Sequence, residues 1–195
     1  LTHFIEGFPD ALSAEHCRSI IERFERDPRR GPSRTQARAN PLVRSGTMLD
    51  VSALPEWQDV VGEIDATIAR HLPKYAEKFI GFQHLAKPDN HVLSPALIER
   101  IDPGQGYGFH IDAGPWGTHD RVLATLIYLA DVADGGYTEF PYQGVRVQPR
   151  RGLLLMFPPF WTHLHRGVSP GSGVKYNVTN FVQVRPKAPP AGRRP

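Results

Sequence analysis

Ala96-Leu97-Ile98-Glu99-Arg100-Ile101, a break at Asp102-Pro103-Gly104-Gln105-Gly106, then Tyr107-Gly108-Phe109-His110-Ile111-Asp112: two short runs rich in branched and aromatic residues flank a turn that no helix would survive. The same texture continues through 121–129, 137–141, 145–148, 153–157, 161–167 and 174–184. Asp134-Gly135-Gly136 and Gln143-Gly144 between these runs are turn chemistry. Eight closely spaced strands with such short connections predict a two-sheet jelly roll, because a parallel sheet would need long crossover helices between its strands.

Toward the N-terminus the period changes. Ser13 can cap a helix whose apolar positions Cys17, Ile20, Ile21 and Phe24 recur at helical spacing. A second helix is expected to start near Pro55, with Val61, Ile64, Ile68 and Leu72 as its stripe and Pro73 as its end or the start of another turn. Helices first and strands afterwards define an α+β, mainly β fold, with the helices packed on the outer face of one sheet. Residues 1–184 are read as one domain, helical support over 1–95 and jelly-roll core over 96–184. The Pro/Arg-rich stretch 185–195 is read as a disordered tail.

Hydrophobic residues at 40% of 195 are too many for a disordered chain. No apolar run approaches the roughly 20 residues needed to span a bilayer, and no secretory leader is visible, so the cytoplasm is the default expectation. A lone Cys17 excludes an internal disulfide and a multi-cysteine zinc site, and its place in the helical stripe marks it as a buried thiol. The net charge of +3 owes more than its full value to Arg185, Lys187, Arg193 and Arg194 in the tail. The body is therefore near neutral, which argues against a nucleic-acid partner. Arg29, Arg30, Arg34 and Arg38 read as a solvated basic loop.

Within the opening stretch, His110 and Asp112 are two apart, so on a strand both project from one face and can reach one metal ion. A further imidazole would complete a two-histidine, one-carboxylate set that leaves three adjacent coordination positions open, as non-haem iron(II) oxygenases require. Alone, the pair is equally an exposed His–Asp hydrogen bond. Trp161-Thr162-His163-Leu164-His165-Arg166-Gly167 offers two candidates for the missing ligand, and alternation cannot choose between His163 and His165 if both lie on one strand. Lys175 follows in the last β-rich run. Facing inward it would need an anion, and facing outward it would need nothing. Asn177 and Thr179 share its face by period two.

Taken together, Pro103-Gly104-Gln105-Gly106-Tyr107 before His110-Ile111-Asp112, Ile127-Tyr128-Leu129, Gly135 to Pro141, Val147 to Gly152, and His165 followed ten residues later by Lys175 resemble the catalytic domain of prolyl 4-hydroxylase-type 2-oxoglutarate/Fe(II) oxygenases. The resemblance runs from about Ile98 to Val182. It implies a double-stranded β-helix, Fe(II) held by His110, Asp112 and His165, and 2-oxoglutarate gripped by Lys175. It further implies dioxygen as co-reactant, ascorbate in many members, and release of succinate and CO₂ as an unactivated C–H bond in a peptide, amino acid or small molecule is hydroxylated. The interval to Lys175 favours His165 over His163. Where many members place a 2-oxoglutarate-binding tyrosine, this chain has Ile101, and Tyr128 on the next strand is the substitute donor. Tyr107, Asn177 and Thr179 are further cosubstrate candidates, and Trp116 and Arg100 are candidates for touching substrate. His16, His71, His84, His91 and His119 are read as surface or packing residues.

Two other readings compete. Lys175-Tyr176-Asn177-Val178-Thr179 resembles the Arg-x-Asn-x-Thr run of alkylated-nucleobase demethylases, but starts with lysine and has Phe181 where a second arginine is expected. A non-catalytic metal-binding jelly roll would need neither the full ligand set nor an inward lysine.

Overall fold

A computed structural model describes residues 2–33, 44–85, 90–115 and 117–184. In chain order the strands are β1 (Glu6–Phe8), β2 (Gly31–Pro32), β3 (Thr47–Asp50), β4 (His91–Leu93), β5 (Leu97–Ile101), β6 (Tyr107–His110), β7 (Arg121–Tyr128), β8 (Thr138–Phe140), β9 (Val145–Val147), β10 (Leu154–Phe157), β11 (His165–Gly167) and β12 (Lys175–Val184). The helices are α1 (Ala14–Arg26) and α2 (Gln58–Lys78). Among the described residues an 8-stranded sheet runs β1-β10-β7-β12-β5-β3-β2, with β4 beside β12, and faces a 4-stranded sheet ordered β6-β11-β8-β9. Every pairing is antiparallel. This is the mainly β, jelly-roll-type architecture that the strand spacing predicts, with both helices on the outer face of the larger sheet.

Strand alternation divides the interior. Ile98 on β5, Leu123 and Ile127 on β7, Leu154 and Met156 on β10, and Val178 and Val182 on β12 point outward and pack under Cys17, Ile20 and Phe24 of α1 and Ile64, Ile68 and Leu72 of α2. Their neighbours Ala124, Tyr128, Leu155, Phe157 and Phe181 turn the other way and meet Phe140 of the small sheet. Each fully buried aliphatic or aromatic side chain here stabilises the fold by roughly 1.5–3 kcal/mol. Ser13 caps α1 as expected, its hydroxyl accepting from the His16 N–H at 3.1 Å.

Three local expectations change. Of the two readings of Pro73 the further turn holds, since α2 runs on to Lys78 and buries Tyr75. Its buried stripe also begins at Val60, with Val61 only partly covered. The first half is not purely helical: β1 extends the large sheet past β10, and β3 pairs with β5. Trp161–His163 is a 3₁₀ turn, and only His165–Gly167 of that predicted strand pairs. The tail 185–195, Arg34 and Arg38 lie outside the described residues. Among those described, no helix is long and apolar enough to cross a membrane.

Candidate metal centre and its cavity

β6 and β11 set His110 directly across from His165, with ring centroids 4.3 Å apart. Strand β6 stops at His110, yet Asp112 keeps its inward direction because the N–H groups of Asp112 and Ala113 both donate to the Pro159 carbonyl, at 3.0 and 2.9 Å. The Asp112 carboxylate then reaches both imidazoles, Oδ1 to His110 Nε2 at 3.5 Å and Oδ2 to His165 Nε2 at 3.4 Å. One ligand atom from each residue lies within 4.8 Å of the other two.

The tautomers are fixed from behind. His110 Nδ1 donates to the Gly108 carbonyl at 2.9 Å and His165 Nδ1 to the His163 carbonyl at 3.0 Å. A carbonyl only accepts, so in each neutral ring the proton sits on Nδ1 and the Nε2 lone pair faces the centre. Phe140 and Phe157 pack against the His165 ring at centroid distances of 5.5 and 4.9 Å, which limits its rotation. Burial holds His165 down to about 4, so it stays neutral at physiological pH. Burial alone would raise Asp112, but the two imidazoles beside it prevail and hold it at about 2, ionised. Burial lowers His110, and the hydrogen bond and charge of Asp112 outweigh it, leaving a net upward shift. Two imidazoles and one carboxylate converging on one point fit a divalent transition-metal ion with open positions.

His163 does not join them. Leaving the 3₁₀ turn, its Nε2 donates to the His3 carbonyl at 2.9 Å and its Nδ1 meets the Thr162 hydroxyl at 3.0 Å. Both ring nitrogens are engaged away from the centre, so the ambiguity between His163 and His165 resolves to His165. The reason is that the two residues do not share a strand.

The centre opens into a cavity of about 350 Å³ between the two sheets. Lys175, Asn177 and Thr179 line it, as period two predicts. Lys175 is only 2% exposed, with Nζ 5.4 Å from the centre of the Tyr128 ring, and burial brings its ammonium down to about 8. The Tyr128 hydroxyl bonds to Thr138 Oγ1 at 2.7 Å.

Asn177 and Thr179 face the cavity but send their hydrogen bonds to Glu99, a residue the motif reading passes over. Glu99 Oε2 accepts from Asn177 Nδ2 at 2.9 Å and Thr179 Oγ1 at 3.2 Å, while Oε1 accepts from Tyr107 at 2.8 Å and from Arg44. The signal for Glu99 was parity: on β5 it shares a face with Leu97 and Ile101 rather than with Ile98. Parity also removes Arg100 from the candidates for touching substrate. It projects to the helix-covered side, paired with Glu25 of α1 at 3.0 Å and with Asp102 at 2.8 Å, and does not line the cavity. Arg121 was likewise missed. It opens β7, lies over the Phe181 ring at 3.7 Å, and donates from Nη1 to the Asp112 carbonyl at 2.9 Å. His119 is exposed, and Trp116 lies outside the described residues.

Residues 96–183 match the family model described as the 2OG-Fe(II) oxygenase superfamily. The chain is similar to probable prolyl 4-hydroxylase 9 of Arabidopsis thaliana, 26% identical over 212 residues, covering 90% of this chain and 67% of that protein. Probable prolyl 4-hydroxylase 6 of the same plant is 30% identical over 114 residues, 45% of this chain and 38% of that protein. Among solved structures, the viral collagen prolyl hydroxylase of Paramecium Bursaria Chlorella virus-1, in its 2OG complex, superposes with a TM-score of 0.68 at 19% identity, covering 93% of this chain and 96% of that one. A prolyl-4-hydroxylase from Pseudomonas putida gives 0.66 at 18% identity, covering 95% of each.

Proposed function

We propose that the chain, whose residues 96–183 match the model of the 2OG-Fe(II) oxygenase superfamily, is a prolyl-hydroxylase-like dioxygenase of that superfamily. It hydroxylates an unactivated C–H bond in a peptide, amino acid or small molecule. The observation that carries this reading is the convergence of His110, Asp112 and His165 on one cavity that is also lined by a buried lysine with no salt bridge among the described residues.

Each side chain has a part in this reading. His110 and His165 offer Nε2, and Asp112 offers one oxygen, to Fe(II) on a single face. Iron with 2-oxoglutarate and dioxygen supplies the oxidising power: one oxygen atom enters the C–H bond, the other enters succinate, and CO₂ leaves. Lys175 is suited to the distal carboxylate of the cosubstrate, because a dicarboxylate returns to the buried ammonium the counter-charge that burial denies it. Tyr128 and Thr138, sharing a hydrogen bond beside Lys175, supply a hydroxyl donor at the same end, where Ile101 offers none. Glu99 holds Asn177 and Thr179, which makes them walls of the cavity rather than free donors to the cosubstrate. Phe157 and Phe181 give part of the cavity an apolar lining, which strengthens each polar contact made there. Ascorbate, where iron is oxidised off cycle, is expected to restore Fe(II).

Anaerobic addition of Fe(II) and 2-oxoglutarate tests this directly. A weak visible charge-transfer band should appear in the wild type and be absent from His110→Ala. With oxygen admitted, succinate should be released. A protein that binds metal but develops neither the band nor succinate would be a metal-binding module and not an oxygenase.

A further inference from the structure

The cavity carries more positive charge than the chemistry just described uses. Its lining holds three cationic side chains, Arg44, Arg121 and Lys175, against two carboxylates, Glu99 and Asp112. Fe(II) and the dianionic cosubstrate cancel one another, so the loaded site still has one positive charge in excess. Lys175 is assigned to the cosubstrate. The surplus therefore belongs to the two arginines.

Their hydrogen bonding is also incomplete. Arg44 stacks over the Tyr107 ring at 4.5 Å and uses Nη2 on Glu99, and Arg121 uses Nη1 on the Asp112 carbonyl. Arg44 Nε and Arg121 Nε are both buried with no hydrogen-bond partner among the described residues. Burying a charged donor without an acceptor is costly, and few native side chains tolerate it unless something else completes the site. Both guanidiniums line the same cavity, so one acid group there can be offered donors by both. An anion in the cavity would supply the acceptors that the two Nε groups lack.

We propose, on the reading given under Proposed function, that the substrate is an acid whose carboxylate is received by Arg44 and Arg121. That contact would fix its C–H bond over the metal. The guanidinium fork is shaped for carboxylates, and two such forks hold an acid more selectively than a point charge would. Because 350 Å³ must hold the cosubstrate as well, the acid is small or is the carboxylate end of a longer molecule.

Anaerobic calorimetry on enzyme saturated with Fe(II) and 2-oxoglutarate, followed through the visible band, tests this. The probes are matched acid and amide pairs: L-proline and L-prolinamide, N-acetyl-L-proline and its amide, 4-methylpentanoate and 4-methylpentanamide. In at least one pair the acid should bind about tenfold or more tighter than its amide, the range expected of a charge-assisted contact. The preference should collapse in Arg121→Gln. It should also weaken in Arg44→Lys, which keeps a charge opposite Glu99 so that the fold survives. Amides that bind as well as their acids, no acid binding at all, or a preference untouched by both variants would each overturn the proposal. So would an acid that binds only by bleaching the band, since it has displaced the cosubstrate. A wild-type enzyme that never develops the band removes the oxygenase reading itself, and this proposal with it.

Discussion

Glu99 and Asn177 stand directly opposite each other on neighbouring strands, and the amide donates to the carboxylate at 2.9 Å across the floor of the cavity. The same carboxylate collects Thr179, Tyr107 and Arg44, so one residue ties β5, β6 and β12 and the segment before β3 together beside the candidate metal ligands. A carboxylate 1% exposed that satisfies so many donors is an organiser of the site wall.

Removing it should therefore be severe. Glu99→Ala leaves Arg44 without its counter-charge and strips acceptors from three further side chains. The expected loss is about 3–5 kcal/mol, as for breaking other buried ion pairs from one side. Urea unfolding of the apoprotein measures it. Replacing Arg44 and Glu99 together by methionine should cost clearly less than Glu99→Ala alone, because neither charge is then left unmatched. A double variant no better than the single one would mean that the pair is not what holds this wall.

Lys175 predicts opposite effects on stability and on binding. Its folded value of about 8 lies below the 10.5 of a free lysine, so between those values the unfolded chain holds more protons than the folded one. Stability of the apoprotein should rise with pH across that window, and the cost carried below it is roughly 3 kcal/mol. Lys175→Met should remove that cost and stabilise the apoprotein by on the order of 1–4 kcal/mol. The same change should weaken 2-oxoglutarate by about 2–5 kcal/mol, the range for truncating one partner of a buried charge pair. In the wild type, cosubstrate affinity should fall as pH rises through about 8 and the ammonium discharges, while Lys175→Met should be flat there. Titration of the visible band from pH 7 to 10 checks the sign.

These effects bear on how far the sequence could be read. Eight strands from Leu97 to Val184 were legible because each is a run of branched and aromatic residues bounded by turn chemistry, and period two then put Lys175, Asn177 and Thr179 on one face. Strands β1 to β4 were not legible: at two to four residues they carry no pattern of their own and exist because a neighbouring strand offers an edge. At Pro73 the sequence left an end and a further turn both open, and packing of Leu72 and Tyr75 against the sheet selects the further turn despite the missing hydrogen bond. The ligands were legible from spacing and resemblance. Arg44 and Arg121 were not, since each becomes a site residue only through contacts with distant strands, while Glu99 was signalled by its parity on β5 and by no motif.

Arg100 shows what the change of face means in practice. Its guanidinium is bound to Glu25, which also accepts from Tyr176 at 2.8 Å, so it fastens α1 to the sheet. Arg100→Ala should lower stability by about 1 kcal/mol, since the network is partly exposed. Cosubstrate affinity and the acid-over-amide preference should not change. A shift in either, measured in the same calorimetric series, would return Arg100 to the site.

His163 and His165, two residues apart in a chain that could have used either, should separate cleanly by experiment. His165→Ala removes a donor that faces Asp112 at 3.4 Å, and equilibrium dialysis with Co(II) should show loss of stoichiometric binding. His163→Ala removes the contact with the neighbouring Thr162 hydroxyl and the link to the His3 carbonyl, which ties the N-terminal segment beside β1 to the 3₁₀ turn. It should keep full metal binding and cost about 1 kcal/mol in urea unfolding, the net worth of one hydrogen bond. Equal metal loss in the two variants would mean that His163 reaches the ion in solution. The 3₁₀ turn argues otherwise, because it leaves His163 off the strand whose register carries His165 to the centre.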